Sequence, residues 1–401
     1  MLSHLDDAEA GGWTPRRCSA DNRSTVSPPP SRQADDRLVA SVARLCARAR
    51  DPLDLLEEVA GRLRRRIPYA AAGWLLVDPD TLLINGVYAE GVDRETHLRL
   101  IAAELSENDD VNRFVDLARA GVAAESLSAA TSGELGRSAR WRELYGPQGY
   151  GDELRAVFAE GPAVWGQACL TRTAGDPWFT AAEVDLVRRV APHLAHGIRT
   201  GLVVSGGAEA AAPGDEPGLV VLRDDGTVDS ATPSATDWFG DLEDPSLRTV
   251  IVLHEVAERA RSLARAGGPG PPARAWARAV DGGAVLVRGT RLDDGHTGHG
   301  DRPGRTALVL EPARRSDVAP VLMQLHALTH REREVTQLLL TGRATRDIAA
   351  DLWITPETLR GHVKSILAKL EVSSRAELFA MLSHEPRSRL RPAEPAAPRS
   401  R

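Results

Sequence analysis

Lys364 and Lys369 are the only lysines in a chain with 50 Lys and Arg residues, and both fall in TPETLRGHVKSILAKL, residues 355–370. An ammonium is a compact point donor for a phosphate oxygen or a base edge, whereas a guanidinium is a planar fork. At helical periodicity the stretch divides into two faces. Leu359, Val363, Ile366, Leu367 and Leu370 share one; Glu357, Arg360, Gly361, Lys364 and Ala368 share the other. A helix packed through the first face presents donors on the second, and the B-DNA major groove, ~12 Å wide, admits a helix of this bulk. Thr355 reads as an N-cap with Pro356 at the first helical position, and Thr355 and Thr358 add donors where a helix start can hold phosphate. Charge alone decides little, because two Lys and one Arg on an outer face also describe an ordinary solvated helix.

The flanking segments must position that helix. LTHREREVTQLLLTG carries a capping box in Thr329 and Glu332, an apolar run, and Gly342 placed to end the helix. ATRDIAADL reads as a short helix with Ile348, Ala349 and Leu352 inward, and Trp353 in the following turn is expected to pack between helices. SSRAELFAML repeats the capping box with Ser374 and Glu377. Four short helices with such caps over residues 328–384 point to an all-α helix-turn-helix module.

Leu-Thr-x-Arg-Glu-x-Glu-Val from Leu328, Gly342, Asp347-Ile348-Ala349, Thr358-Leu359, His362, Lys369-Leu370-x-Val372 and Ser374-Arg375 together resemble the LuxR-type helix-turn-helix domain across its length. The resemblance implies a transcriptional regulator that binds double-stranded DNA in a sequence-specific way. It passes the groove-reading role to Arg360 and Lys364 with Gly361 between them, with Thr355, Glu357, Thr358, Lys369 and Arg375 as further DNA-binding candidates. Lys369 is expected to reach phosphate or pack at the helix end. The family often dimerises through its fourth helix, which makes Leu378, Phe379 and Leu382 the candidates for a homodimer on DNA or, alternatively, core residues. The chain departs from the family at Gly361, Trp353 and Thr355; a side-chain-free Gly361 implies shallower base readout.

The remaining chain is too long for one core. Residues 1–34 and 385–401 read as disordered, 203–217 as a linker and 313–327 as a connecting helix. Residues 35–202 read as an α+β domain, helices bracketing two strand pairs, with a capping box at Thr180 and Glu183. Residues 218–312 read as a second, smaller α+β domain. The first resembles GAF-type sensor domains through RWRELYGPQGYGDELRAVF, VWGQACLTR and PWFTAAEVDLV; the second is similar to a PAS-like fold. Both resemblances imply a small-molecule effector held between sheet and helices. Trp74, Trp165, Trp178 and Tyr69 are the aromatics available either to line such a pocket or to fill the core.

Residues 328–401 hold 13 Lys and Arg against 9 Asp and Glu, whereas the whole chain stands at −6, so an acidic body carries a more basic module. With no lysine before residue 364, a P-loop is excluded. The first domain lacks the acidic cluster and downstream lysine of a phosphorelay receiver. Residues 60–110 lack the aromatic and aspartate constellation of autoinducer-binding domains. Three dispersed cysteines, Cys18, Cys46 and Cys169, suit a reducing cytoplasm. No apolar run approaches the ~18 residues of a membrane span, and no basic-then-apolar leader opens the chain. His296 and His299 fall in a polar loop without metal-ligand spacing, and no cofactor is implied. An enzymatic reading would have to rest on Asp109, Asp110, His193 and His196, which show no nucleophile–base arrangement. The other rival is a scaffold whose sensor folds bind only proteins.

Overall fold

The computed structural model describes residues 32–383 apart from 49, 107–109, 205–215, 245, 268–269, 271, 281–282, 293–303 and 314. The polar leader, the arginine-rich tail, most of the linker, Asp109 and the His296/His299 loop therefore lie outside the described residues.

In the first unit, α1 (Arg32–Cys46) and α2 (Pro52–Arg64) precede β1 (Ala71–Val77) and β2 (Ile84–Glu90). Then come α3 (Arg94–Leu105), α4 (Phe114–Ala120), the short β3 (Ala124–Ser126) and the single turn α5 (Leu127–Ala130). β4 (Tyr150–Glu160), β5 (Ala163–Thr173) and the long α6 (Ala181–Val204) complete it. The five strands form one antiparallel sheet, β2-β1-β5-β4-β3. Strand alternation sorts the two faces of this sheet. Trp74, Leu154, Ala156 and Phe158 pack against α1, α2 and α6. The opposite face carries Glu153 and Arg155, buried in a charged network: Glu153 with Arg140 at 2.6 Å and Arg155 at 3.0 Å, Arg140 with Asp110 at 2.9 Å, and Arg155 with Glu104 at 2.7 Å. Against the penalty of burial, the two guanidinium groups hold Glu153 down at about 2.

The second unit contains β6 (Gly218–Arg223), β7 (Val228–Ala231), α7 (Pro233–Phe239), α8 (Ile251–Ala266), β8 (Arg274–Arg278), β9 (Ala284–Leu292) and β10 (Arg305–Pro312). Its sheet runs β7-β6-β10-β9-β8, the same relative order as the first. α8 is buried almost all round, including His254 and Glu255, because it packs on its own sheet and on β2 and α3 of the first unit. One apolar cluster accordingly joins Leu75, Val87, Ile101 and Val157 of the first unit to Val252, Val256, Val285 and Leu308 of the second.

α9 (Arg315–Leu325) leads into α10 (His330–Leu340), α11 (Thr345–Asp351), α12 (Pro356–Lys369) and α13 (Arg375–Ser383). α9 is shared between two cores. Val321 and Leu325 join the cluster of the first unit, while Ala319 and Met323 join that of α10–α13. Arg199 of α6 donates to the Leu325 carbonyl at 2.6 Å, which fixes the end of α9 against the first unit.

Candidate nucleic-acid interface

The interface begins with how α12 is held. Thr355 caps it, accepting the Thr358 N–H at 3.1 Å, and Pro356 occupies the first turn. Leu359, Val363, Ile366 and Leu370 are buried against α10 and α11, in a core to which α13 also contributes. Glu357, Thr358, Arg360, Gly361, Lys364 and Ala368 are all exposed. The division into faces is therefore that of the sequence pattern, and none of the described residues covers Arg360 or Lys364. Arg360 pairs with Glu357 one turn before it, both largely in solvent. Lys364 makes no hydrogen bond or ion pair among the described residues. Gly361 has open space where a Cβ would stand, so its lack of a side chain leaves a gap in the outward face.

Lys369 points the other way. Its Nζ pairs with Glu332 at 2.6 Å and donates to the Ala327 carbonyl at 3.2 Å. Glu332 is buried and also accepts from Thr329 N–H at 2.7 Å and Ser365 Oγ at 2.6 Å. One carboxylate thus completes the capping box of α10 and ties α12 to it. Of the two lysines, one is free on the outer face and the other is a structural tie, the second of the two roles expected of it.

Four expectations need correction. Trp353 does not pack between helices; it is 94% exposed. Its φ of 53° is left-handed, and with Trp353 N–H to Ala350 O and Ile354 N–H to Ala349 O it closes α11 in the manner of a C-terminal cap. That geometry turns Leu352 and Ile354 inward and leaves the indole outside. Leu378 and Leu382 are not free for a partner: they are buried in the core that α9 shares, and only Phe379, 46% exposed, remains on the surface. Glu377 caps α13 one residue off the expected box, accepting from Ser373 N–H at 2.7 Å, while its own N–H donates to Ser374 Oγ at 3.1 Å. Trp74 is a core residue, stacked on Phe158 with ring centroids 6.2 Å apart, rather than a pocket wall.

Arg375 is exposed but donates to Thr345 Oγ1 at 3.0 Å, linking the starts of α13 and α11. Sequence reasoning missed Arg346, which is 89% exposed at its side chain in the first turn of α11, just after the turn from α10. The signal was available: it follows the cap position of a helix whose inward residues were already identified. The enzymatic candidates do not converge. Asp110 is consumed by Arg140 on one face of the first sheet, whereas His193 and His196 ride on α6 against the other. The described residues contain no cluster of metal-ligating side chains and no helix long and apolar enough to cross a membrane.

Comparison with known proteins places the interface in a family. Residues 326–382 match the model described as bacterial regulatory proteins, luxR family. The spore germination protein GerE of Bacillus subtilis is 42% identical over 55 residues, which are 14% of this chain and 74% of GerE. The transcriptional regulatory protein YhcZ of the same organism, itself uncharacterized, is 41% identical over 64 residues, which are 16% of this chain but only 30% of YhcZ. The likeness to relatives of that kind is thus confined to the helical module. Among solved structures, the GAF domain from an Acinetobacter phosphoenolpyruvate-protein phosphotransferase superposes with a TM-score of 0.30 at 13% identity, covering 44% of this chain and 98% of that domain. At that level the α+β character of the first unit stands on its own strand order. The module bounded by α10 and α13 is another matter: its sequence, its caps and its exposed helix agree, and through it the chain belongs to the luxR family of bacterial regulatory proteins.

Proposed function

We propose that the chain is a cytoplasmic, sequence-specific DNA-binding transcriptional regulator whose two α+β units sense a signal and control the C-terminal helix-turn-helix. The observation that carries this reading is the outward face of α12, where Arg360 and an unpaired Lys364 stand exposed on a helix anchored through its other side. In that geometry the first turns of α12 enter the major groove, Arg360 and Lys364 reach base edges or phosphates, and the exposed Thr355, Thr358 and Arg375 lie at the margins. Lys369 supports the interface by holding α12 on α10.

Two copies act together on DNA, with recognition helices about one turn, ~34 Å, apart. Phe379 is the large apolar residue of the fourth helix that stands exposed for a second copy. Control operates as a population shift, in which the signal favours one docking of the sensor units over another. α9 is the physical link, since the same short helix contributes to both cores.

The test is a salt titration of binding to operator fragments selected from random duplex DNA. Each phosphate contact contributes about −0.9 to the slope of log K against log salt. Lys364→Ala is expected to weaken binding and flatten the slope by about one unit. Unchanged affinity at every salt concentration would remove Lys364 from the interface.

A further inference from the structure

The outer face of α12 carries few groups that can address a base. Gly361 has open space where a side chain would stand, and Ala368 offers only a methyl. Polar reach on this face comes from Glu357, Thr358, Arg360 and Lys364. Thr358 is committed to the helix start, its hydroxyl 2.8 Å from that of Thr355. Lys364, without a partner among the described residues, is a point charge suited to phosphate. That leaves Glu357 and Arg360.

In the free protein a carboxylate in the first turn is favoured by the helix dipole. In a groove walled by phosphates it is repelled unless it meets a donor. The base edges of the major groove offer two, the cytosine N4 and adenine N6 amino groups. Adenine carries the N7 acceptor beside its amino group, which suits an amide and repels a carboxylate; cytosine has no acceptor there. Cytosine is therefore the base that Glu357 fits.

Arg360 supplies the complementary half. It stands one turn from Glu357 and is ion-paired to it through one Nη and one carboxylate oxygen, the two side chains being 66% and 80% exposed. The second Glu357 oxygen, and Nε and Nη2 along one edge of the guanidinium, have no partner among the described residues. The pair thus presents an acceptor and a donor fork side by side. A G·C pair presents the converse: guanine O6 and N7 accept, and the neighbouring cytosine N4 amino group donates. Because the ion pair is neutral as a unit, phosphates give it little, and its gain on DNA comes from bases.

We propose that Glu357 and Arg360 act as one unit that reads a G·C pair of the operator, Arg360 donating to guanine O6 and N7 while Glu357 accepts from cytosine N4. The proposal rests on the DNA-binding reading above and deepens it from a groove face to a base pair. Gly361 assists, since a face with no side chain beside Arg360 lets the helix backbone approach the bases closely.

The test selects operator fragments from random duplex DNA with the full chain and with Glu357→Gln, Glu357→Ala and Arg360→Ala. All three changes fall on exposed side chains, and thermal unfolding checks that each variant is folded. The parent should select a sequence with a fixed C·G pair. Glu357→Gln should select A·T at that position instead, because a carboxamide matches adenine N6 and N7, and Glu357→Ala should accept any pair there. On the parent's operator, 7-deazaguanine opposite that cytosine removes the N7 acceptor. It should weaken the parent about tenfold and leave Arg360→Ala unaffected. Glu357 variants that select the parent's own sequence, or 7-deazaguanine that weakens the parent and Arg360→Ala alike, would overturn the proposal while DNA binding itself stands. A parent that enriches no duplex would overturn the DNA-binding reading and this proposal with it.

Discussion

Replacing Glu332 by alanine should destabilise the DNA-binding module by about 2–3 kcal/mol, of which the lost cap contributes about 1 kcal/mol and the stranded buried partners the rest. Three groups lose their acceptor at once: the Thr329 N–H, the Ser365 hydroxyl and the Lys369 ammonium. The figure stays below that for a fully buried pair because Lys369 is one-third exposed at its side chain and can be rehydrated. Hydrogen exchange over α10 and α12 in the full chain should quicken about 30- to 150-fold, the same free energy read as local opening. Glu334→Ala is the control. It removes a half-exposed surface pair with Arg331, for which less than about 1 kcal/mol is expected. Against burial, the hydrogen bonds from Lys369, Ser365 and Thr329 hold the Glu332 carboxyl at about 2, below its ordinary 4.5. Its folded pKa is depressed, so its contribution is complete above pH 4.5 and is lost as pH falls through about 2. Exchange in Glu332→Ala as slow as in the parent would mean that α12 is held on α10 by apolar packing alone.

The second large effect lies at the junction of the α+β units and depends on pH. Glu255 on α8 is fully buried, and that burial lifts it from 4.5 to about 8; Glu104 and Glu258 push the same way, and the Ile84 N–H and Arg259 oppose. It is therefore protonated at neutral pH. A raised folded pKa means that the stabilisation is complete below 4.5 and disappears as pH rises through about 8. Neighbouring groups set the window. His254 and His97 are lowered by burial to about 3 and about 4, and Asp78 is raised by burial to about 6. Unfolded, the two histidines still hold about half a proton each at pH 6.5, which opposes the Glu255 slope, but that contribution and the last of the Asp78 titration are common to the parent and Glu255→Gln. The difference between the two proteins therefore belongs to Glu255, and across pH 6.5 to 8 the parent should lose about 2 kcal/mol relative to Glu255→Gln. Thermal unfolding at pH 6.5 and pH 8 of both proteins decides it; an equal loss in the glutamine variant would place the titrating group elsewhere.

What was readable in the sequence and what was not divide along physical lines. Caps and periodicity are local, so Thr329, Gly342, Thr355 and the core stripe of α12 were legible from spacing alone. The strand pairs of both units were legible for the same reason. The α3 and α4 helices were not, because they pack over a face occupied by the Arg140–Glu153–Arg155 network, which dilutes the apolar pattern. Lys369 could not be assigned to one of its two roles, since its partner Glu332 lies 37 residues earlier. Trp353 misled because burial was inferred from residue type, whereas the left-handed turn decided its direction. Leu378 and Leu382 were open to either reading until α9 was seen to cover them. The cleft between the two α+β units was illegible altogether: Trp165 and Trp276, which line it, come from separate units, and only docking brings them to one space.

The central claim is that the outer face of α12 lies in a DNA groove, and proximity tests it most directly. A benzophenone amino acid encoded at position 364 is irradiated in the operator complex, with the same group at position 196, exposed on the outer side of α6, as the reference. Crosslinks from position 364 to bases within the protected site, and none from position 196, are expected. A complex that still forms with the group at position 364 yet yields no crosslink to duplex would contradict the claim.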